Sequence, residues 1–308
     1  MGLTLRPASG LHLVLNFMQN ATKVMMKRVH TFFLSFLIAT VCVAQSDSLT
    51  FVTAKWETEK IDKGVALKKY LFKGDLFSSN QSINIVEVKK SKKIIFAFGF
   101  ETKELKLTSD FGKTANAIAA LNGTFFDIKN GGSVDFLKVD GKVINENRIQ
   151  NDKRAVHQKA AIMLEGNELK IEKWDGQPTW ESSLSSDNIM LSGPLLIFKN
   201  QVEPVDSSSF TYTRHPRTAI VVTNTDRVLF VTVDGRDPNA AGMSLIELGK
   251  VLKWLGAKDG INLDGGGSTT LWIYNQPEGG IVNYPSDNKT WDHAGERKVA
   301  NVVLIKKR

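Results

Sequence analysis

Three consecutive glycines, Gly265, Gly266 and Gly267, stand between the apolar runs 261–263 and 271–274, in a stretch reading Asp264-Gly-Gly-Gly-Ser268-Thr269-Thr270. Glycine loses more conformational entropy on ordering than any other residue, so three in a row between strand-like segments point to a close approach to the backbone. Successive amides in such a turn form a concave nest suited to phosphate or carboxylate. The hydroxyls add donors, and Asp264 stands at the lip as base, nucleophile or ligand. No Lys follows the glycines as in a nucleotide P-loop, and the order is not the G-x-S-x-G of a nucleophile elbow. A glycine-rich hairpin with Asp264 as turn residue accounts for the same letters, and composition does not separate the two.

Ahead of the fold, Met26-Lys27-Arg28 and the apolar run 32–43 read as the basic and apolar regions of a secretory signal peptide. Cleavage is expected after Ala44, with a periplasmic or secreted destination. The run is too short to span a bilayer, and no later segment reaches the roughly 20 apolar residues of a transmembrane helix. Bulky Val41 disfavours lipid attachment at Cys42, since bacterial lipidation signals carry a small residue there. Residues 1–25 have no clear role, and Met25 or Met26 is a candidate start. Removing Arg6, Lys23, Lys27 and Arg28 with this leader takes Lys and Arg from 40 to 36 against 32 acids, and net charge from +8 to about +4. So mild an excess does not call for nucleic acid, but it suits an anionic small ligand.

Cys42 is the only cysteine, so the expected mature chain has no disulfide, no thiolate zinc site and no Cys nucleophile. His157, His215 and His293 are widely separated and form no H-E-x-x-H pattern, which argues against a zinc hydrolase. Neither a metal nor a cofactor is expected.

Short runs rich in Val, Ile and Phe over 49–56, 65–72, 83–88 and 94–100 alternate with turn signals, predicting antiparallel strands in a subregion spanning 45–107. Lys89-Lys90 and Lys92-Lys93 read as a solvated turn, because no aromatic is interleaved. A short helix is expected over 110–113. The run 115–121 is helix-like in composition but ends in the turn signal Asn122-Gly-Thr-Phe-Phe-Asp127. Strands recur over 134–139, 142–144, 160–164 and 169–174, and Gly193-Pro194 breaks the apolar run 191–197 to mark a bulge or a pocket wall. No linker or repeat interrupts 108–308, which reads as one domain.

The last third is the most specific. A hairpin pairs 217–223 with 227–233 and delivers Asp234-Gly235-Arg236-Asp237 at its end. Ser244 and Glu247 form a capping box, Leu245, Leu248, Leu252 and Leu255 recur at helical spacing, and Gly256 fits the position just past a helix end. This helix leads back to a strand over 260–263. Two strands joined by one helix lie parallel in a sheet, so Asp234 and Asp264 are expected at the same edge.

Six segments in order, Asn122-Gly-Thr-Phe-Phe-Asp127, Ser192-Gly-Pro-Leu-Leu196, His215-Pro-Arg-Thr-Ala219, Asp234-Gly-Arg236, Gly242-Met-Ser-Leu-Ile-Glu-Leu248 and Asn262-Leu-Asp-Gly-Gly-Gly-Ser-Thr-Thr270, resemble the motifs of the phosphodiester glycosidase family. The resemblance runs from about Thr108 to the C-terminus; 45–107 matches no motif. It implies an α+β fold with a curved, mostly antiparallel or mixed sheet flanked by helices, and export, as in many bacterial members. It further implies a pocket bounded by Asn122, Phe126, Arg217, Asp234, Arg236, Asp264 and Ser268. Ile220-Val221 follows Ala219 where relatives often carry Gly, a departure read as strand variation.

The implied reaction is hydrolysis of the sugar–phosphate bond of a glycosyl-1-phosphodiester derived from a glycan or the cell envelope. A phosphate monoester leaves more readily than an alcohol, so the carboxylic general acid of ordinary glycosidases is less necessary. Charge developing on phosphate calls for Arg217 or Arg236 and for the amides of Gly265, Gly266, Gly267 and Ser268, while Asp264 first and Asp234 second act as nucleophile or base. Either Asp could instead hold an Arg in place. Asn122 is expected to bind sugar hydroxyls or phosphate, and Phe126 to wall the sugar or fill the core. Trp272, Tyr274 and Trp291 are stacking candidates, the first two read more naturally as packing, and His215 as structural. Two other classes stay open: a non-catalytic module for anionic glycan, and a metal-assisted phosphodiesterase using Asp234, Asp237 and Asp264 as oxygen ligands.

Overall fold

The central strands alternate between two apolar environments rather than between core and water. In β14 (Arg217–Thr223), Ile220 and Val222 enter one cluster and Ala219 and Val221 another. Strand β15 (Arg227–Val233) divides in the same way, Val228 and Phe230 to the first cluster and Leu229, Val231 and Val233 to the second. Period-two alternation puts neighbouring residues on opposite faces, so a sheet built from such strands is covered on both sides.

The computed structural model describes residues 47–149 and 153–308. The signal-peptide reading, Cys42 included, lies outside them. The unit from Phe51 to Arg308 carries the sheets. Its largest sheet has the order β1 (Glu57–Asp62), β2 (Val65–Leu76), β3 (Ser79–Lys89), β15, β14, β16 (Ala257–Asn262), β12 (Leu195–Phe198), β13 (Gln201–Val202). A five-stranded sheet runs β10 (Glu168–Lys173), β9 (Ala160–Glu165), β11 (Asn188–Ser192), β7 (Leu137–Val139), β8 (Lys142–Asn145). A four-stranded one runs β17 (Leu271–Ile273), β6 (Ala119–Asn122), β19 (Asn301–Lys307), β4 (Ile94–Phe100), and β5 (Lys106–Leu107) pairs with β18 (Lys298–Val299). The pairings are antiparallel, which makes this an α+β fold dominated by antiparallel sheet. The strands of 57–100 enter the same sheets as later ones, β3 pairing with β15 and β4 with β19.

The main core lies where the three larger sheets meet, with Phe96, Leu121, Ile162, Phe230 and Ile261 among its members. The opposite face of the large sheet is closed by α5 (Leu245–Trp254), whose Leu245, Leu248, Val251 and Leu252 are buried, each contributing about 1.5–3 kcal/mol over exposure. Its start is the expected capping box: Ser244 Oγ accepts from Glu247 N at 3.2 Å, and Glu247 Oε2 accepts from Ser244 N at 2.9 Å. Gly256, at φ 80°, ends it.

Two expectations are corrected. The segment 49–56 is not a strand; α1 (47–53) is helical, because Phe51 packs into an aromatic group with Trp56, Phe72 and Trp254 at ring separations of 5.4, 5.9 and 5.5 Å. Helix α2 (Thr108–Thr114) ends before 115, and the latter half of the run 115–121 becomes β6, fully buried between β17 and β19. At Gly193-Pro194 the chain leaves the five-stranded sheet for the eight-stranded one. A Cβ at Gly193 would meet Val156 O at 2.9 Å and His157 Cα at 3.1 Å, so glycine there lets the turn 156–158 seat against the sheet end. Strands β15 and β16 are each antiparallel to β14 between them and therefore parallel to one another. Asp234 and Asp264 leave the sheet at one edge.

Candidate active site

Asp264 follows β16 almost directly and is held by its backbone. Its N–H donates to Gly123 O at 3.1 Å, and its carbonyl accepts from Asn122 Nδ2 at 2.7 Å. The side chain is half-buried, and its Oδ1 accepts from Gly265 N at 3.0 Å. Burial pushes this carboxyl up to about 6, against Ser268, the Gly265 amide and the charges of Arg297 and His157, all of which pull the other way. Ser268 Oγ lies deep beside the carboxylate without a well-formed hydrogen bond to any group. A carboxylate titrating near neutrality is suited to proton transfer or attack.

The glycine turn does admit close neighbours. A Cβ at Gly265 would lie 2.7 Å from Pro216 O, one at Gly266 would lie 2.9 Å from Arg236 Nη2, and one at Gly267 would collide with the guanidinium of Arg297. Arg297 is steadied by Asp287 through an Nε bond of 2.8 Å, whereas Arg236 is exposed and, among the described residues, has no ion pair. Most of the amides expected to form a nest here already have partners. Gly265 N is bound to Asp264, Gly266 N donates to Pro216 O at 2.8 Å and Ser268 N to Gly265 O at 3.2 Å. The positive groups above the turn are side chains, and the glycines make room for them.

Other expected site residues are placed differently. Asp234 is completely buried, and its carboxylate accepts from Ser82 Oγ at 2.6 Å, Asn84 Nδ2 at 3.1 Å, Asn283 Nδ2 at 3.0 Å and Tyr284 N at 2.8 Å. Burial still raises its pKa. It is a pin joining β3, β15 and the segment after β17, with no lone pair left for substrate or metal. Arg217 is 1% exposed; its Nε donates to Met243 O at 2.8 Å and its Nη2 to Phe210 O and Thr213 O at 2.7 and 2.9 Å. Its Nε and Nη2 are committed to backbone carbonyls and its Nη1 is buried without a partner, an arrangement that differs from the expected bidentate grip on phosphate. Asn122, also fully buried, holds Asp264 and accepts from Thr218 Oγ1 at 2.8 Å and Thr270 N at 3.0 Å, so it braces the turn. Phe126 packs against the cluster containing Phe111 and Trp272, the core-filling alternative.

Positive charge nonetheless gathers here. Burial and then Arg236 lower the Arg217 guanidinium to about 10, and burial, Arg217 and Arg236 together lower His215. The acid whose charge acts on Arg217, Glu247, is already bonded to Arg214 Nε at 3.1 Å.

Two residues that the sequence does not single out complete the edge. His157 Nδ1 lies 2.8 and 2.9 Å from the two oxygens of fully buried Asp135, which also accepts from Thr124 Oγ1 at 3.0 Å and Gln158 Nε2 at 3.1 Å. The His157 ring is tilted on Phe125 at 4.6 Å, and Phe125 meets Phe210 at 6.4 Å. On the other flank Tyr284 stacks on Trp291 at 3.9 Å and meets the tilted His293 ring at 4.3 Å. No motif spacing connects Asp135 with His157; the stack was foreshadowed only by Trp291. A cleft of about 250 Å³ sits at the opposite sheet end, lined by Phe96, Ile171, Phe198 and several lysines. Its acids include Glu168, which is paired with Lys90 at 2.7 Å, and no histidine lines it.

One edge of the fold thus carries a half-buried carboxylate of raised pKa, a carboxylate–histidine pair and two arginines over a glycine turn. A phosphodiester glycosidase family model matches residues 115–306, and the chain belongs to that family, whose members are hydrolases of phosphodiester glycosides. The catalytic domain of zebrafish N-acetylglucosamine-1-phosphodiester alpha-N-acetylglucosaminidase, auto-inhibited by its pro-peptide, is similar in fold: TM-score 0.60, 20% identity, 86% of this chain and 92% of that one covered. A hypothetical protein from Synechocystis aligns with TM-score 0.61 and 16% identity over 83% of this chain, which spans 64% of that protein's length. A candidate exported protein from Burkholderia pseudomallei aligns with TM-score 0.52 and 16% identity over 74% of each chain. Comparison with curated proteins gives no significant match.

Proposed function

We propose that this chain is an exported glycosidase that hydrolyses the bond between sugar C1 and phosphate oxygen in a glycosyl-1-phosphodiester. The observation that carries the reading is the placement of Arg236 over Gly266, beside the half-buried Asp264. Arg236, backed by Arg297, receives the phosphate and neutralises the charge that grows on it as the bond breaks. Asp264, mostly ionised at neutral pH, works at C1. The substrate named for the zebrafish relative supports a sugar-1-phosphodiester as the class. Attack at phosphorus by a metal-held water is less well supported, because Asp234 has its lone pairs committed to four donors.

Hydrolysis of a panel of sugar-1-phosphate methyl diesters in water labelled with heavy oxygen tests the reading. Label in the released sugar supports it; label in the phosphate replaces it with a phosphodiesterase, and tight binding without product replaces it with a glycan-binding module. Export rests on the leader's basic and apolar pattern and on the exported description of the Burkholderia neighbour. Intact mass of protein recovered from a bacterial periplasm should correspond to a chain starting after Ala44, and a mass retaining 26–44 would overturn that part.

A further inference from the structure

We propose that His157, oriented by Asp135, is the general base that activates the hydrolytic water, working on the same sugar carbon as Asp264. The inference rests on the glycosidase reading above and assigns the two groups separate tasks. Three placements carry it. The turn holding His157 is seated against Gly193, whose carbonyl accepts from Asn262 Nδ2 at 3.0 Å, two residues before Asp264. The imidazole is 29% exposed, its Nδ1 is fixed by a carboxylate that has no exposure at all, and its Nε2 has no protein partner among the described residues. Its ring lies against Phe125 at 4.6 Å, two residues beyond the Gly123 carbonyl that accepts the Asp264 N–H.

A buried carboxylate at Nδ1 fixes the tautomer with Nε2 unprotonated and stabilises the imidazolium that forms when Nε2 takes a proton. Asp135 is itself well suited to stay in place, since Thr124 and Gln158 hold it as well. In the first step an Asp264 oxygen bonds to C1, and the C1–O bond to phosphate breaks with its electron pair leaving on the phosphate monoester. In the second, His157 Nε2 takes a proton from water and the water oxygen bonds to C1. The C1–Asp264 bond breaks as the water oxygen bonds, its electron pair returning to the carboxylate, and the imidazolium then gives its proton to solvent. The sum is diester plus water to free sugar plus phosphate monoester. Asp135 is a positioning residue in this scheme.

Azide separates this role from a structural one, because it attacks carbon without needing to lose a proton. His157→Ala should lower kcat at least about a hundredfold and lower KM with it, leaving kcat/KM much less affected, because only the second step is slowed. Azide should restore at least about a tenth of the lost rate and yield glycosyl azide. His157→Gln, which keeps a donor for Asp135, should fold like wild type yet be as slow as the alanine variant and be rescued by azide. Asp135→Asn should lose rate and respond to azide in the same direction. Near-normal turnover by His157→Gln, or a folded, slow variant that azide does not rescue, would overturn the assignment. The probes are methyl phosphodiesters of N-acetylglucosamine, glucose and galactose; no sugar release from any of them by wild type removes the glycosidase reading itself, and the inference with it.

Discussion

A Cβ added at Gly266 would stand 2.9 Å from Arg236 Nη2, so any side chain at that position displaces the guanidinium from the turn. Gly266 also has φ 61°, a conformation that costs an L-residue about 1–2 kcal/mol. Gly266→Ala is therefore expected to raise KM and lower kcat/KM at least about tenfold on a sugar-1-phosphodiester. An aryl glycoside of the same sugar, lacking phosphate, should be affected much less. Equal losses on both substrates would mean that Arg236 does not read the phosphate.

Asp264 and Asp234 leave parallel strands at one edge, and their substitutions should have opposite signatures. The folded pKa of Asp264 is raised from 3.8 to about 6 by burial, so folding favours its protonated form. Sign follows directly: the ionised group weakens the fold above pH 6, and that penalty fades as pH falls from about 6 towards 4. Asp264→Asn, uncharged throughout and able to keep an oxygen for Gly265 N, should be as stable as wild type or more so at pH 7.5, by at most about 3 kcal/mol. The gap should close on acidification, while kcat drops at least about a hundredfold at neutral pH. Wild-type kcat/KM should show an acid limb near pH 6. Melting curves and pH–rate profiles of the two proteins check each part, and a less stable Asn variant at pH 7.5 would contradict the burial argument.

Asp234→Ala, by contrast, removes the acceptor of Ser82, Asn84, Asn283 and Tyr284 in a site with no access to water. Each stranded buried donor costs about 1–3 kcal/mol, partly relieved where Ser82 turns to another acceptor. Loss of at least about 3 kcal/mol is expected in urea unfolding. A change below about 1 kcal/mol would show that this network is not what joins β3, β15 and the Tyr284 segment.

What the sequence made legible was local or topologically forced. Ser244, Glu247 and Gly256 announce α5 through capping chemistry that needs no tertiary partner. The shared edge of Asp234 and Asp264 follows from a helical crossover between parallel strands. Side-chain direction at that edge was less legible. Arg217 and Arg236 flank the same turn, and only the pleat of β14, with Ala219 facing α5, turns Arg217 towards the Met243 carbonyl. Asp135 and His157 meet only because β7 and the turn at Val156 are brought together by Gly193 and the five-stranded sheet. Phe51 looked like a strand residue because its burial depends on Trp254, some two hundred positions away.

The contrast between Arg217 and Arg236 gives the last prediction. Arg217 has three donor contacts to backbone carbonyls, lies 4.6 Å from the Phe210 ring and has its Nη1 buried without a partner. A lysine at 217 carries the charge but not the fork; its single ammonium cannot reach Met243, Phe210 and Thr213 together. The buried carbonyls it abandons should cost about 2–4 kcal/mol, or roughly 5–15 °C in Tm for a domain of this size. Loosening Phe210 also loosens the wall that it shares with Phe125 and His157. Arg236→Lys should behave in the reverse way, because an exposed guanidinium without an ion pair has little to do with folding. Its Tm should stay within about 2 °C of wild type, while kcat/KM on the phosphodiester falls at least about tenfold through loss of bidentate contact. Thermal melts beside kinetics for both variants decide the matter. If Arg217→Lys melts like wild type and loses only phosphodiester activity, the roles are reversed: Arg217 holds the phosphate through its free Nη1, and Arg236 is the bystander.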